Sequence, residues 1–178
     1  MTGLSNLCGI IKQSTSLTTL DFVNHLSYDS IGAEGASAIA DVIKQSQSLT
    51  SVELSYNWIG DKGAIAIVKA ISQSQSLTTV GLIGNEIGDI GAIAIAEAIN
   101  QSQTLTTVDL RSNEIGDVGA SVIVEAIKQS TSLTALDLSC NDIEDVIAIV
   151  IAEAISKQTA RRTTLNLYNR PQLLIDHA

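Results

Sequence analysis

The sequence predicts an α/β solenoid, with a parallel sheet on one side and a row of helices on the other. Asn57, Asn85, Asn113 and Asn141 stand 28 residues apart, and a fixed period in this range marks stacked repeats. Within a repeat the apolar pattern changes period. Leu77, Val80 and Leu82 bracket Thr79 and Gly81 in the two-residue alternation of a short strand. Ala92, Ile95, Ala96 and Ile99 then fall along one helix face. With 178 residues and 45% apolar content the chain can bury one quasi-linear core as a single domain, residues 1–178.

Residues 1–15 read as a half-unit: Leu4, Leu7 and Ile11 are helix-spaced, and Ile11–Leu17 nearly copies Ile127–Leu133. A short helix is expected there, covering the open end of the core. Five strand-loop-helix units are expected over residues 16–159. The first has its strand at Leu17–Phe22 and a loop four residues longer than the rest, around Val23, Asn24 and His25. Insertions in repeat arrays fall in loops, often on the binding face; a loop that simply tolerates length fits equally. The next three units are regular. In the fifth, Glu144 and Ile147 replace glycines and the helix is apolar from Val146 to Ile151, which suggests packing against a terminal element or, alternatively, a self-association patch. A sixth strand is expected at Arg162–Leu167. Residues 160–178 then close the array, because Arg170 and Pro171 break the repeat and Leu173, Leu174 and Ile175 can fold over the end.

Asp61, Asp89, Asp117 and Asp145 precede or open the helical runs, where a carboxylate can accept orphan backbone N–H groups as an N-cap. Gly63, Gly91 and Gly119 follow two positions later and are expected to let the first turn lie close to the strand layer. Asn57, Asn85, Asn113 and Asn141 fall where the strands end, so their amides can form a structural ladder between adjacent loops. The pattern LxxVxLxxNxIxxxGxxxI, in register from about Leu4 to Leu167, resembles the ribonuclease-inhibitor-like class of leucine-rich repeat. The resemblance implies a horseshoe with strands on the concave face and helices on the convex face. Strands neighbour at about 4.8 Å and packed helices at about 8–10 Å, so such a stack must bend.

Composition narrows the function classes. A formal charge of −9 disfavours nucleic acid and anionic membrane as partners and favours a protein with a basic surface. Cys8 and Cys140 lie in distant units and cannot pair within one molecule, which fits a reducing compartment and departs from the cysteine-rich mammalian ribonuclease inhibitors. No signal-like segment opens the chain, and the apolar run Val146–Ala152 is too short to span a bilayer. The expected location is cytoplasmic, in the chain's own cell or in a host cell after translocation. No cofactor, metal site or catalytic residue is expected: two histidines, no phosphate loop and no nucleophile elbow leave little for an enzyme to use.

The informative positions are those the repeat leaves free. Across the strands the central outward position reads Asp21, Glu53, Gly81, Asp109, Asp137 and Asn166. The next outward position adds Ser55, Ile83, Arg111, Ser139 and Tyr168, and the loops add His25, Tyr56, Trp58, Glu86, Glu114 and Asp142. Apart from Gly81 these form the expected partner-binding surface. Carboxylates on adjacent strands, such as Asp109 and Asp137, repel by about 0.9 kcal/mol in bulk water at ~4.8 Å, which Arg111 can partly relieve and a cationic partner would relieve more fully. Trp58 and Tyr56 supply aromatic anchors in a chain with few aromatics; the alternative is that Trp58 lies flat against its own loop and the carboxylates are only a soluble face.

The sequence is accordingly read as a non-catalytic binding module, monomeric in isolation, that inhibits or regulates a partner enzyme. Small low-cysteine chains of this kind also look like translocated bacterial effectors that regulate other effectors. The same repeat type occurs in activating proteins of a small nuclear-transport GTPase, an alternative reading. Another alternative is a scaffold associating through Ile65, Ile93 and Ile149.

Overall fold

The structure, a computed structural model, describes residues 2–24, 30–156 and 163–167. It begins with α1 (Thr2–Ile11) and then alternates strand and helix: β1 (Thr19–Asp21), α2 (Gly32–Gln45), β2 (Ser51–Glu53), α3 (Gly60–Ile71), β3 (Thr79–Gly81) and α4 (Asp89–Gln101). There follow β4 (Thr107–Asp109), α5 (Asp117–Gln129), β5 (Ala135–Asp137), α6 (Asp145–Ser156) and β6 (Thr164–Asn166). The strands form one six-stranded parallel sheet in sequence order, as stacking of identical units requires. Val52, Val80, Val108 and Leu136 share one buried row of that sheet. The predicted helix face is buried as well: Ala92, Ile95, Ala96 and Ile99 are all in the core. At the amino-terminal end Cys8, not Leu7, enters the core while Leu7 is exposed; burial raises the Cys8 thiol pKa. Cys8 and Cys140 are both free thiols.

The asparagine ladder satisfies backbone groups of two units at once. Asn85 accepts from the N–H groups of Asn57 at 2.9 Å and Ile59 at 3.4 Å, both in the preceding unit. Its Nδ2 donates back to the Leu54 carbonyl at 2.9 Å and within its own loop to Ile83 at 3.2 Å. Asn113 repeats the arrangement against Asn85, Ile87 and Leu82; Asn141 does so against Ile115 and Leu110. All four ladder asparagines are buried.

The aspartates act differently from the sequence expectation. Asp61, Asp89 and Asp117 do not cap their own helices: the residues preceding α3, α4 and α5 are Ile59, Gly88 and Gly116, with no side-chain cap bond. Asp61 Oδ1 instead accepts from Gly88 at 2.8 Å and Gly91 at 2.9 Å, at the start of the next helix. Asp89 caps Gly116 and Gly119 in the same way, and Asp117 reaches the Glu144 N–H at 2.9 Å. An N-terminal turn exposes unpaired donors, and in a stack the nearest carboxylate belongs to the previous unit.

The same geometry corrects the role of the helix-start glycines. A Cβ on Gly91 would stand 2.6 Å from Ile87 Cγ2 and 2.7 Å from Asp61 Oδ1; on Gly119 it would stand 2.7 Å from Ala92 Cβ and from Asp89 Oδ1. These glycines admit the neighbouring helix and its carboxylate as well as the buried isoleucine of their own loop.

A second ladder, of hydroxyls, runs through the QSxSL segments, QSQTL at Gln101–Leu105, at the other end of the strands. Ser74 Oγ accepts from Leu77 N–H and Ser102 Oγ from Leu105 N–H, at 3.1 and 3.0 Å. Ser76 and Thr104 hydroxyls donate to the Leu49 and Leu77 carbonyls, one unit back, each at 2.8 Å.

Two predictions follow from these contacts. Asn85→Ala leaves buried donors and acceptors in two units, each costing about 1–3 kcal/mol, so urea unfolding should show a loss of about 3 kcal/mol or more. Gly91→Ala raises helix propensity by up to ~1 kcal/mol, yet the clash and the displaced Asp61 cap should make the variant less stable by about 1–3 kcal/mol in thermal unfolding.

Candidate functional site

The parallel register brings the central row together as read from the sequence: Asp21 pairs with Glu53, Glu53 with Gly81, Gly81 with Asp109, Asp109 with Asp137, and Asp137 with Asn166. Much of this acidic floor is compensated internally. Arg111 binds the Asp109 carboxylate through Nε at 3.0 Å and Nη2 at 2.7 Å, and its Nε lies 3.8 Å from Asp137 Oδ2. Asn166 Nδ2 donates to Asp137 Oδ2 at 3.0 Å. The repulsion expected between Asp109 and Asp137 is therefore offset by a guanidinium and an amide. The hydrogen bond to Asp109, together with the charges of Asp109 and Asp137, outweighs partial burial and raises the Arg111 pKa.

Ser55 and Ser139 do not stand on the open surface as expected. Both are buried, because each short hydroxyl turns under its own strand's carboxylate: Ser55 Oγ donates to Glu53, and Ser139 Oγ to Asp137 at 2.5 Å. Glu53 in turn leans over Gly81, where a Cβ would collide with its carboxylate, so Gly81 is buried instead of exposed. Asp21 stays exposed and accepts from the Val23 N–H at 3.0 Å. Ile83 is half-buried; Glu86, Glu114 and Asp142 are exposed on the loops. Negative charge is thus more accessible on the rim than on the floor. His25 and Tyr168 lie outside the described residues.

Tyr56 and Trp58 stand on the loop that follows β2, 48% and 60% exposed. Both have left-handed backbone, φ 61° and 54°, a conformation bulky residues rarely adopt. The residue before each ladder asparagine repeats the turn: Gly84, Ser112 and Cys140 also have positive φ. At Tyr56 the backbone geometry is imposed by the repeat, and at Trp58 it recurs at Glu86 but not at Glu114 or Asp142; the aromatic side chains are particular to this unit. Gly84 makes room for Tyr56, since a Cβ there would meet the ring at 2.5 Å. Gly84 donates its own N–H to the Arg111 carbonyl at 3.0 Å, so Arg111 stands one unit further along the same edge. A large apolar surface, a guanidinium and exposed carboxylates thus share one edge of the sheet, the residue types that anchor protein interfaces. Among the described residues no group of three or more His, Cys, Asp and Glu side chains could hold a metal ion.

The family profile described as "Leucine Rich repeat" matches four stretches, residues 45–68, 73–96, 101–124 and 129–152, together more than half of the chain. Among solved structures the chain is similar to one described as leiomodin-1 actin-binding site 2, at 18% identity and TM-score 0.70 over 85% of this chain and 86% of that one. It is also similar to the Caenorhabditis elegans tropomodulin C-terminal domain, at 15% identity and TM-score 0.70 over 86% and 91% of the two chains. No curated protein sequence matches it.

The two aromatics should be dispensable for folding. Trp58→Gly removes an exposed side chain and relieves left-handed strain of about 1–2 kcal/mol, while freeing the unfolded chain by about 1 kcal/mol. Its stability should stay within about 1 kcal/mol of wild type in urea unfolding.

Proposed function

Because the chain belongs to the leucine-rich repeat family, whose stacked units leave one face of the sheet free of helices, we propose that it is a non-catalytic protein-binding module whose sheet face and loop rim grip one partner. The observation that carries this reading is the loop of β2. It holds Trp58 and Tyr56 out to solvent in left-handed backbone, with Arg111 exposed along the same edge and Glu86 and Glu114 exposed on the following loops. Aromatics and arginine provide affinity, and rim carboxylates select partners with cationic surfaces and speed their approach. Nucleic acid and anionic membrane carry the wrong charge for a chain of −9. No helix among the described residues is long and apolar enough to cross a membrane. The two free thiols fit a reducing compartment, the ground for reading the protein as cytoplasmic, in its own cell or a host.

Six strands at about 4.8 Å give a floor on the order of 25 Å wide, adequate for a standard interface of roughly 800 Å² per partner. A rigid platform of that width can cover an enzyme's active site, so inhibition or regulation of a partner enzyme is the mode of action we favour. Stimulation of a small GTPase is the competing reading; it predicts specific acceleration of GTP hydrolysis on adding this protein, whereas a plain binder predicts none.

The test compares affinity capture from the native cell, or a host cell, by wild type and by a Trp58→Ala, Glu86→Arg, Glu114→Arg variant. These three side chains are exposed, whereas Asp109 is engaged by Arg111 and changing it would disturb the floor. A partner retained by wild type and reduced at least about tenfold by the variant is expected; equal retention by both would sink the proposal. Since one structural neighbour is described as an actin-binding site, an actin-filament co-sedimentation arm with the same two proteins belongs in the experiment.

A further inference from the structure

The helix layer carries a second surface that the sheet-side reading does not use. Ile90, Val118 and Val146 occupy equivalent positions of α4, α5 and α6 and are 64%, 60% and 67% exposed. Ile93 on α4, Val122 on α5, and Ile149 and Val150 on α6 are exposed beside them. On each helix these residues lie at i and i+3 or i+4, one face of the cylinder, so they form a continuous apolar ridge crossing three helices. An outward helix face is ordinarily polar, and contiguous apolar patches of this kind mark interaction sites. An end effect does not explain it: α4 and α5 are flanked by helices on both sides, packing with α3, α5 and α6, and Ile90 and Val118 remain exposed. On the fifth-unit helix, expected from the sequence either to pack against a terminal element or to present a self-association patch, Val146, Ile149 and Val150 are exposed, while residues 168–178 lie outside the described residues.

Charge defines what fits. One turn further along the same face stand Glu97, Glu125 and Glu153, all exposed, one per helix, making an acidic margin along the ridge. Glu125 shares its carboxylate with Lys128 at 3.1 Å, a surface pair that contributes little and is readily exchanged. The ridge stops at α3, whose corresponding positions are Lys62, Ile65 and Lys69, with Ile65 half-buried and both lysines exposed. We propose that α4–α6 form a docking site for an amphipathic helix of a partner protein, with an apolar stripe and a cationic margin. The periods agree. Neighbouring helices are about 8–10 Å apart, and seven residues of a crossing helix rise about 10.5 Å, so a Lys or Arg every seventh residue meets one glutamate per helix. A segment of roughly 14–18 residues spans the ridge, while Lys62 and Lys69 repel its cations and fix its limit. This site is separate from the sheet face, and neither proposal depends on the other.

Fluorescence anisotropy with synthetic 18-residue peptides tests it. One peptide carries leucines at heptad positions and lysines along one margin, the second has glutamates in place of the lysines, and the third scrambles the first. Wild type should bind the lysine peptide at least about tenfold more tightly than either control. An Ile90→Asp, Val118→Asp variant should lose that binding while keeping its unfolding midpoint. Glu97→Lys with Glu125→Lys, which leaves the ridge intact, should reverse the preference toward the glutamate peptide. The Trp58→Ala, Glu86→Arg, Glu114→Arg variant should bind the lysine peptide as wild type does. Equal binding of the scrambled peptide would mean bulk charge attraction and overturn the proposal. So would retained binding by the ridge variant, or a ridge closed to peptide by a second copy, seen as a doubled mass in light scattering.

Discussion

The structure depends on one constraint: no repeat satisfies its turns from its own residues alone. Each unit bends twice, at the end of the strand and at the start of the helix, and each bend leaves buried backbone N–H and C=O groups that cost about 1–3 kcal/mol apiece if unpaired. The asparagines answer this backward, with Asn85 holding backbone of the Asn57 loop. The aspartates answer it forward, with Asp61 holding Gly88 and Gly91. The hydroxyls close the remaining gap, Ser76 to Leu49 and Thr104 to Leu77. Because the three sets run between units, stability resides largely in the interfaces, the quasi-one-dimensional behaviour of a solenoid. It also explains the restricted choice at Gly91 and Gly119, where the forward carboxylate and the adjacent helix use the space a Cβ would need.

That frame was legible to different depths. The period, the sheet order, the buried rows and the asparagines that join adjacent loops follow from a repeated pattern, and each was readable because periodicity reports which positions share an environment. The aspartates show the limit. The helix-start signal correctly marks where orphan donors are found, but it assumes that cap and helix belong to the same turn; in a stack, translation by one unit places the Asp61 carboxylate nearer the following helix. The serine ladder had an equally plain signal, the repeated QSxSL segments, but a polar pattern between elements reads as a loop unless one asks where its backbone bonds go.

The candidate site was legible in position and less so in chemistry. Register alone put Asp21, Glu53, Gly81, Asp109, Asp137 and Asn166 in one row. Whether those carboxylates were available could not be read from spacing, since it depends on rotamers: Arg111 folds onto Asp109, Asn166 reaches Asp137, and Ser55 and Ser139 turn inward. A floor thus compensated is closer to neutral than its composition suggests, and discrimination by charge shifts to Glu86, Glu114 and Asp142 at the rim. The left-handed turns carry a related lesson. They recur at Gly84, Ser112 and Cys140, so the strain at Tyr56 belongs to the scaffold, and only the choice of an aromatic there asks for a functional explanation.

The helix layer presents the same logic from the other side. Within a unit the inward helix positions are fixed by packing, and the outward ones are as free as the outward strand positions. On α2 the equivalent outward row is Glu34, Ser37 and Asp41, on α3 Lys62, Ile65 and Lys69; the scaffold plainly accepts polar residues there. Ile90, Val118 and Val146 are therefore not demanded by the fold, and exposing them on the outer surface brings no burial in return. Their coincidence with a glutamate row one turn away, on the same three helices, distinguishes an organised surface from scattered exposed apolar residues. Two independent faces on a frame held rigid by its own cross-unit bonds would suit a protein that brings two partners together, with the sheet edge selecting one and the ridge another.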